Sequence, residues 1–307
     1  MHPVLTVEHL KKVYGKKNPY TAVDSISFDL KEGEILGLLG PNGSGKTTTI
    51  QMLLGTLSPT SGTISYFQKS FTTHRSEILK KVSFASTYTS LPHVLTIMEN
   101  LRCFAWFYEV KEWKKKALTL LERFGIAEAK NRPVSSLSAG QVTRLMIVKA
   151  FFIEPKIVLL DEPTASLDPE ISVEVCNFLL EERAKKGVSI LFTSHKMGEV
   201  AEICDRTIFL KKGKIMANDL PSVLAKSVSG HQLRLTIIEG MEKMIALADR
   251  KKIPYVSEKQ NIQFSLPEKE IPLFLQSLTE EKISYISIQI KEPSLEDYFL
   301  QLAGKKR

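Results

Sequence analysis

At 307 residues the chain is longer than a single core usually needs, so one large domain with a smaller one is the expected organisation. Apolar residues make up 43% and charged residues 25%, which excludes disorder, and no window approaches the roughly 20 apolar residues that span a bilayer. The net charge of +8 permits attraction to phosphates or to an anionic leaflet without demanding either.

The opening third reads as strands with tight turns: LTVEHLKKVY, AVDSISFDL and then EILGLLG, an apolar run closed by glycine. A loop and a helix, KTTTIQMLLGTL, follow. Residues 91–155 differ, being dominated by helical periodicity without a convincing strand, and are expected to form a helical subdomain. The lysine run Lys114, Lys115, Lys116 falls on one of these helices and reads as a solvated face. KIVLLDEP and VSILFTSH are again apolar runs suited to strands buried on both faces of a parallel sheet. Between them lies a helix, EISVEVCNFLLEERAKK, stopped by Gly187. Strand, helix and strand in alternation imply an α/β core. After about residue 228 the order becomes βαββαβ, from HQLRLTII to SYISIQI, a ferredoxin-like arrangement, closed by the short helix SLEDYFLQLAG.

Cys103, Cys176 and Cys204 share no metal-ligand spacing and read as reduced, mostly buried thiols in a reducing compartment. MHPVLTVEHL lacks the apolar block of a signal peptide, so the chain is expected to be soluble, with any membrane role supplied by a partner.

Residues 40–47, GPNGSGKT, fit G-x-x-x-x-G-K-[ST] between a predicted strand and a predicted helix. Gly40, Gly43 and Gly45 let the backbone curl so that successive N–H groups face phosphates, and the helix start adds positive partial charge. Lys46 would reach the β- and γ-phosphates and Thr47 would offer its hydroxyl to Mg²⁺. Asp161, at the end of an apolar strand expected beside the P-loop strand, can hold that metal through water. Glu162 is a second acid next to the first. Two adjacent buried acids are costly without a metal and a reacting water, which makes Glu162 the candidate general base. His195 ends the next apolar strand, where ligands bind in open α/β sheets and where an imidazole can hydrogen-bond a γ-phosphate; a lone His is as readily an ordinary satisfied residue.

GPNGSGKTT, LSAGQ, LLDEP, SLD and a strand-terminal His, in this order, resemble the ATP-binding subunit of ABC transporters over residues 4–225, and the C-terminal module with PSLEDYFLQL looks like the accessory tail of ABC-2-type export subunits. The resemblance implies a P-loop NTPase α/β core with an N-terminal antiparallel β subdomain and an inserted helical subdomain. That nucleotide-binding domain would cover residues 1–228, and a small C-terminal α+β, ferredoxin-like domain residues 229–307. It implies ATP and Mg²⁺ as ligands, with ATP held by Tyr14, Gly40, Pro41, Asn42, Gly43, Ser44, Gly45, Lys46, Thr47 and Thr48. Tyr14 takes the place of the aromatic that stacks on adenine; by itself it reads equally as a core tyrosine. Catalysis would fall to Glu162, His195 and Lys46, and the metal to Thr47 and Asp161. Where the family usually carries a metal-reaching glutamine this chain has Thr87, a hydroxyl of shorter reach, which leaves Thr87 at the margin of the metal set.

Taken alone, LSAGQ is explained by a helix cap at Ser138. In the family it is the signature, and Ser138, Ala139, Gly140 and Gln141 would close over the ATP of a second copy packed head to tail. Ser166, Leu167 and Asp168 resemble the D-loop that couples the two sites. The implied partners are a second nucleotide-binding domain, in a homodimer, and a separate membrane-spanning permease on the cytoplasmic face of the cell membrane. No nucleic acid is expected, because the positive charge is not gathered into a stripe. A non-transport ABC ATPase acting on ribosomes or nucleic acid is the alternative, weakened by a single nucleotide-binding unit and no heptad run; a regulatory ATP switch with little turnover is a third reading. Dimer contact and regulation are both open for the C-terminal module.

Overall fold

The computed structural model describes residues 2–86, 91–228 and 231–303. The chain divides into two compact units, residues 1–221 and 222–307.

The first unit opens with strands β1 (Pro3–Tyr14), β2 (Tyr20–Lys31) and β3 (Ile35–Leu39) and helix α1 (Lys46–Leu53). It continues through β4 (Ser61–Tyr66), β5 (Lys69–Ser70), α2 (Phe71–Leu79) and β6 (Val82–Ser86). Three helices follow, α3 (Ile97–Phe107), α4 (Trp113–Arg123) and α5 (Ala139–Phe152), with only two short 3₁₀ turns between them. Then come β7 (Ile157–Asp161), α6 (Pro169–Lys186), β8 (Ser189–Thr193), α7 (Met197–Ile203), β9 (Arg206–Lys211) and β10 (Lys214–Asp219).

The apolar runs behave as their composition requires. Every residue of β3, β7 and β8 is buried, and β6, β7, β8, β3 and β9 run parallel in a six-stranded sheet of order β10-β9-β3-β8-β7-β6. The strand carrying Asp161 is thus not the neighbour of the P-loop strand: β8 lies between them, so the loops after β3, β8 and β7 meet at one edge of the core. An antiparallel sheet, β2-β1-β4-β5, packs on this layer, and Leu5, Val7, Leu36, Leu38, Ile50 and Leu159 belong to one continuous core.

Helix ends follow their local chemistry. Thr96 caps α3 by accepting from the Glu99 N–H, while the Glu99 carboxylate accepts from the Thr96 N–H at 2.8 Å, a reciprocal pair that holds the Glu99 pKa below its usual value. α6 starts with Pro169 and stops at Gly187, whose φ of 65° suits the left-handed turn.

Helix α8 (Pro221–Lys226) starts on the last residue of the first unit, and the second unit continues with β11 (His231–Glu239), α9 (Met241–Arg250), β12 (Tyr255–Glu258) and β13 (Asn261–Leu266). It ends with α10 (Ile271–Glu280), β14 (Ser284–Lys291) and α11 (Leu295–Ala303). Its antiparallel sheet has the order β12-β13-β11-β14, which is ferredoxin-like. Alternate residues Leu233, Leu235 and Ile237 of β11 face a core completed by Met244, Phe264 and Phe274.

Candidate functional site: a phosphate cradle facing two acids

The loop after β3 curls back on itself before α1. Gly40 has φ of 152° and Gly45 φ of 109°, and a Cβ on Gly45 would meet the Ala22 carbonyl oxygen at 2.6 Å. Only glycine allows that approach. Lys46 is buried and its ammonium donates to the Gly40 carbonyl at 2.7 Å and to Pro41 O at 3.4 Å. Burial lowers its pKa, and the carboxylates of Glu162 and Asp161 oppose that shift. The Ser44 hydroxyl is buried and has no hydrogen-bond partner among the described residues, a donor in want of an acceptor. A phosphate oxygen is an acceptor of the kind it lacks.

Opposite the loop, Asp161 ends β7. Its Oδ1 accepts from Thr193 Oγ1 at 2.8 Å and its Oδ2 lies 3.5 Å from Thr47 Oγ1. Burial raises the Asp161 pKa, the Glu162 charge adds to this, and the Thr193 and Thr47 hydroxyls and Lys46 pull the other way. Glu162 adopts the left-handed φ of 52° that side-chain-bearing residues avoid, and its N–H donates to Thr193 Oγ1 at 2.9 Å. Its Oε2 lies 3.4 Å from His195 Nδ1; the imidazole is 62% exposed and the carboxylate 16%.

A cavity of about 790 Å³ opens along this edge, lined by residues that include Tyr14, Asn42, Ser44, Thr47, Asp161 and Glu162. That volume lies within the range of small-molecule sites. Gly43, Gly45, Lys46 and Thr48 also line it. His195 does not line it, and meets the site through Glu162. Ser138, Ala139, Gly140 and Gln141 lie outside this cavity, at the start of α5. There the Ser138 hydroxyl accepts from the Gln141 N–H at 3.3 Å and the Gln141 side chain accepts from the Ser138 N–H at 3.0 Å. Gly140 adjoins Ser166 and Leu167: a Cβ on it would stand 3.6 Å from Ser166 O and 4.0 Å from the Leu167 side chain. Asp168 occupies the cap position of α6 without a side-chain bond to it. Thr87 falls outside the described residues.

Sequence reasoning missed Thr193, Tyr20 and Ser86. Thr193 is fully buried and serves both acids, yet inside VSILFTSH it looks like any strand residue. Tyr20 pairs across the β1–β2 ladder with Tyr14 and lines the cavity beside it; the signal was a second exposed tyrosine at the hairpin. Ser86 pairs with Asp161 at the ends of β6 and β7. Thr193→Val keeps the volume and removes the hydroxyl shared by the two acids. The expected cost is about 1–3 kcal/mol of stability, read from chemical denaturation. An unshifted midpoint would show that the hydroxyl is dispensable.

A glycine-rich strand–loop–helix cradle facing paired acids at the mouths of a parallel sheet defines a P-loop nucleoside triphosphatase. Comparison with known proteins narrows the class. Residues 23–165 match the ABC transporter family. The linearmycin resistance ATP-binding protein LnrL of Bacillus subtilis (strain 168) is 31% identical over 98% of this chain and 99% of its own length. The Nod factor export ATP-binding protein I of Ralstonia nicotianae (strain ATCC BAA-1114 / GMI1000) is 30% identical over 99% of this chain and 95% of its own. A solved ATP binding subunit of an ABC transporter, 27% identical, covers 72% of this chain and 91% of that one with a TM-score of 0.67. The chain belongs to the ATP-binding subunits of ABC transporters: it binds and hydrolyses ATP. Among the described residues, no helix is long and apolar enough to cross a membrane.

Proposed function

We propose that the chain powers export through a separate membrane-spanning subunit, as a homodimer of nucleotide-binding domains (residues 1–228) on the cytoplasmic face of the membrane, with residues 229–307 as an accessory domain. The convergence of the Gly40–Lys46 cradle with Asp161 and Glu162 around one cavity carries this reading. Support for export comes from relatives matched over nearly their whole length, one of which is an export protein by name.

The donor set fits Mg²⁺. Thr47 and Asp161 offer a hydroxyl and a carboxylate, hard oxygen donors already converging at 3.5 Å, and the carboxylate is one whose charge burial disfavours until a cation offsets it. Held there by Thr47 and Asp161, magnesium would supply positive charge against the phosphate charge of the nucleotide. In this reading Lys46 exchanges the Gly40 carbonyl for the phosphates, and Ser44 and the loop N–H groups complete the cradle. Glu162 accepts a proton from the attacking water, whose oxygen bonds to the γ-phosphorus as the bond to the ADP oxygen breaks. His195, held at Nδ1 by Glu162, presents its other ring nitrogen to the γ-phosphate. Tyr14, half exposed on the cavity wall, stacks on adenine.

The signature lies outside the cavity that the same chain builds, and its use requires a second copy. Residues 138–141 of each copy close over the ATP of the other, with Asp168 coupling the two sites. The test is the oligomeric state of Glu162→Gln in ATP and Mg²⁺, by sedimentation velocity. A dimer that forms with nucleotide and is lost when Ser138→Arg is added is expected. A monomer under all conditions sinks the head-to-tail arrangement. Purification of the tagged chain from mildly solubilised membranes should bring down a polytopic subunit; co-sedimentation with ribosomes instead would favour the non-transport reading.

A further inference from the structure

The end of α3 and the turn into α4 present a surface that the nucleotide site leaves unused. Trp106 is 65% exposed and Phe107 77% exposed, neighbours on the last turn of the helix. Exposed aromatics of this size rarely stand side by side on a soluble face. The Arg102 guanidinium lies 4.6 Å from the centre of the Trp106 ring, and the Lys114 ammonium 5.9 Å from that of Trp113. Glu109 and Glu112, with φ of 54° and 51°, shape the short turn that joins α3 to α4.

Charge is lopsided here. Arg102, Lys111, Lys114 and Lys115 are exposed, and none makes an ion pair among the described residues. Of the local acids, Glu109 is engaged by Lys80 at 3.2 Å; Lys115 borders a groove that Glu112, Glu154 and Glu182 also line, so Arg102, Lys111 and Lys114 are the cations this surface carries. Lys116 is committed to Glu154 at 2.7 Å.

We infer that this surface docks on the headgroup layer of an anionic lipid bilayer. Indole and phenyl rings flanked by cations match that layer, where an aromatic body sits among the glycerol groups and lysines reach phosphates. A protein partner fits less well, because protein interfaces deplete lysine at their cores. The inference does not rest on the transporter reading, since the contact needs neither ATP nor a second subunit.

The chain supplies its own reporter: it has two tryptophans, the exposed Trp106 at the end of α3 and the partly buried Trp113 at the start of α4. The full chain without nucleotide is mixed with vesicles of phosphatidylcholine, alone or with phosphatidylglycerol. Co-sedimentation and a blue-shifted emission are expected with the anionic vesicles only, both fading as salt rises. Lys111→Gln and Lys114→Gln should each lower the partition coefficient about fivefold, and Trp106→Ala with Phe107→Ala on the order of tenfold or more. ATP turnover in free solution should match the parent chain in these variants, which shows that they fold. The inference is overturned by absent binding to anionic vesicles at low salt, by binding that the variants leave unchanged, or by equal binding to neutral vesicles. An emission shift seen only in membranes that contain the spanning subunit assigns the surface to protein and overturns it as well.

Discussion

Replacing Glu162 by glutamine should lower steady-state ATP turnover roughly 10²–10⁴-fold and leave ATP affinity within a small factor of the parent chain. The substitution preserves volume and hydrogen-bonding reach, so a bound water can still be held, but an amide cannot take its proton. The position is held more firmly than its sequence suggests. Glu162 sits in a left-handed conformation that costs on the order of 1–3 kcal/mol, secured by its N–H bond to Thr193 and by the burial of β7 beneath it. The protein keeps that strain where it aims a carboxylate along the cavity wall, 3.4 Å from an exposed imidazole. Phosphate release and equilibrium ATP binding, measured on the same preparation, separate chemistry from affinity. Turnover within about a factor of three of the parent would remove Glu162 as the base and leave proton transfer to another group.

The parts of the fold that could be read in advance are those where local chemistry and global packing ask for the same residues. ILGLL, IVLLD and SILFT are apolar without interruption because both faces of each strand are covered, and all three are strands. The helix over residues 170–186 could be stopped at Gly187 because a left-handed residue was needed there. Other stretches carried weaker signals. β5 is two residues long and exists only through its pairing with β4. α2 is broken at His74, whose φ of −116° and ψ of 23° lie outside the helical range, so its periodicity is scrambled. β10 is exposed at most positions and gains its place from the β9 ladder. Within the site the cradle and the acids were legible because their residue types are rare in such places. Thr193 was not, since a buried threonine in a strand is ordinary and only the two acids around it give it a task. The position of β8 between β3 and β7 was hidden for a related reason: strand order is set by crossover packing, and no single residue records it.

Phe178→Ala should cost about 3–5 kcal/mol and lower Tm on the order of 10 °C. The ring, in the middle of α6, meets Phe124 edge-on at 5.0 Å and Phe151 at 4.8 Å, with interplanar angles of 77° and 79°. Such edge-to-face contacts add about 0.5–1.5 kcal/mol each to area burial. The Arg123 guanidinium lies 5.0 Å from the Phe178 ring centre and clasps Glu181 of the same helix through two bonds, at 3.0 and 2.8 Å. Arg123, then Lys185, hold the Glu181 carboxyl at about 2, so the clasp stays charged at neutral pH. Because that pKa is depressed, its contribution is present above the ordinary carboxylate range and is lost as pH falls towards 2. Phe178 therefore ties α6, with Asp168 at its cap position, to α5, capped by Ser138, and to the end of α4. A groove of about 380 Å³ borders the ring, so the space left by alanine can partly collapse or admit water, which places the cost nearer the lower bound. Phe178→Leu refills most of that volume and should recover more than half of the lost stability. If both variants melt with the parent chain, the aromatic cluster is not what couples these helices, and the Arg123–Glu181 clasp must hold them without it.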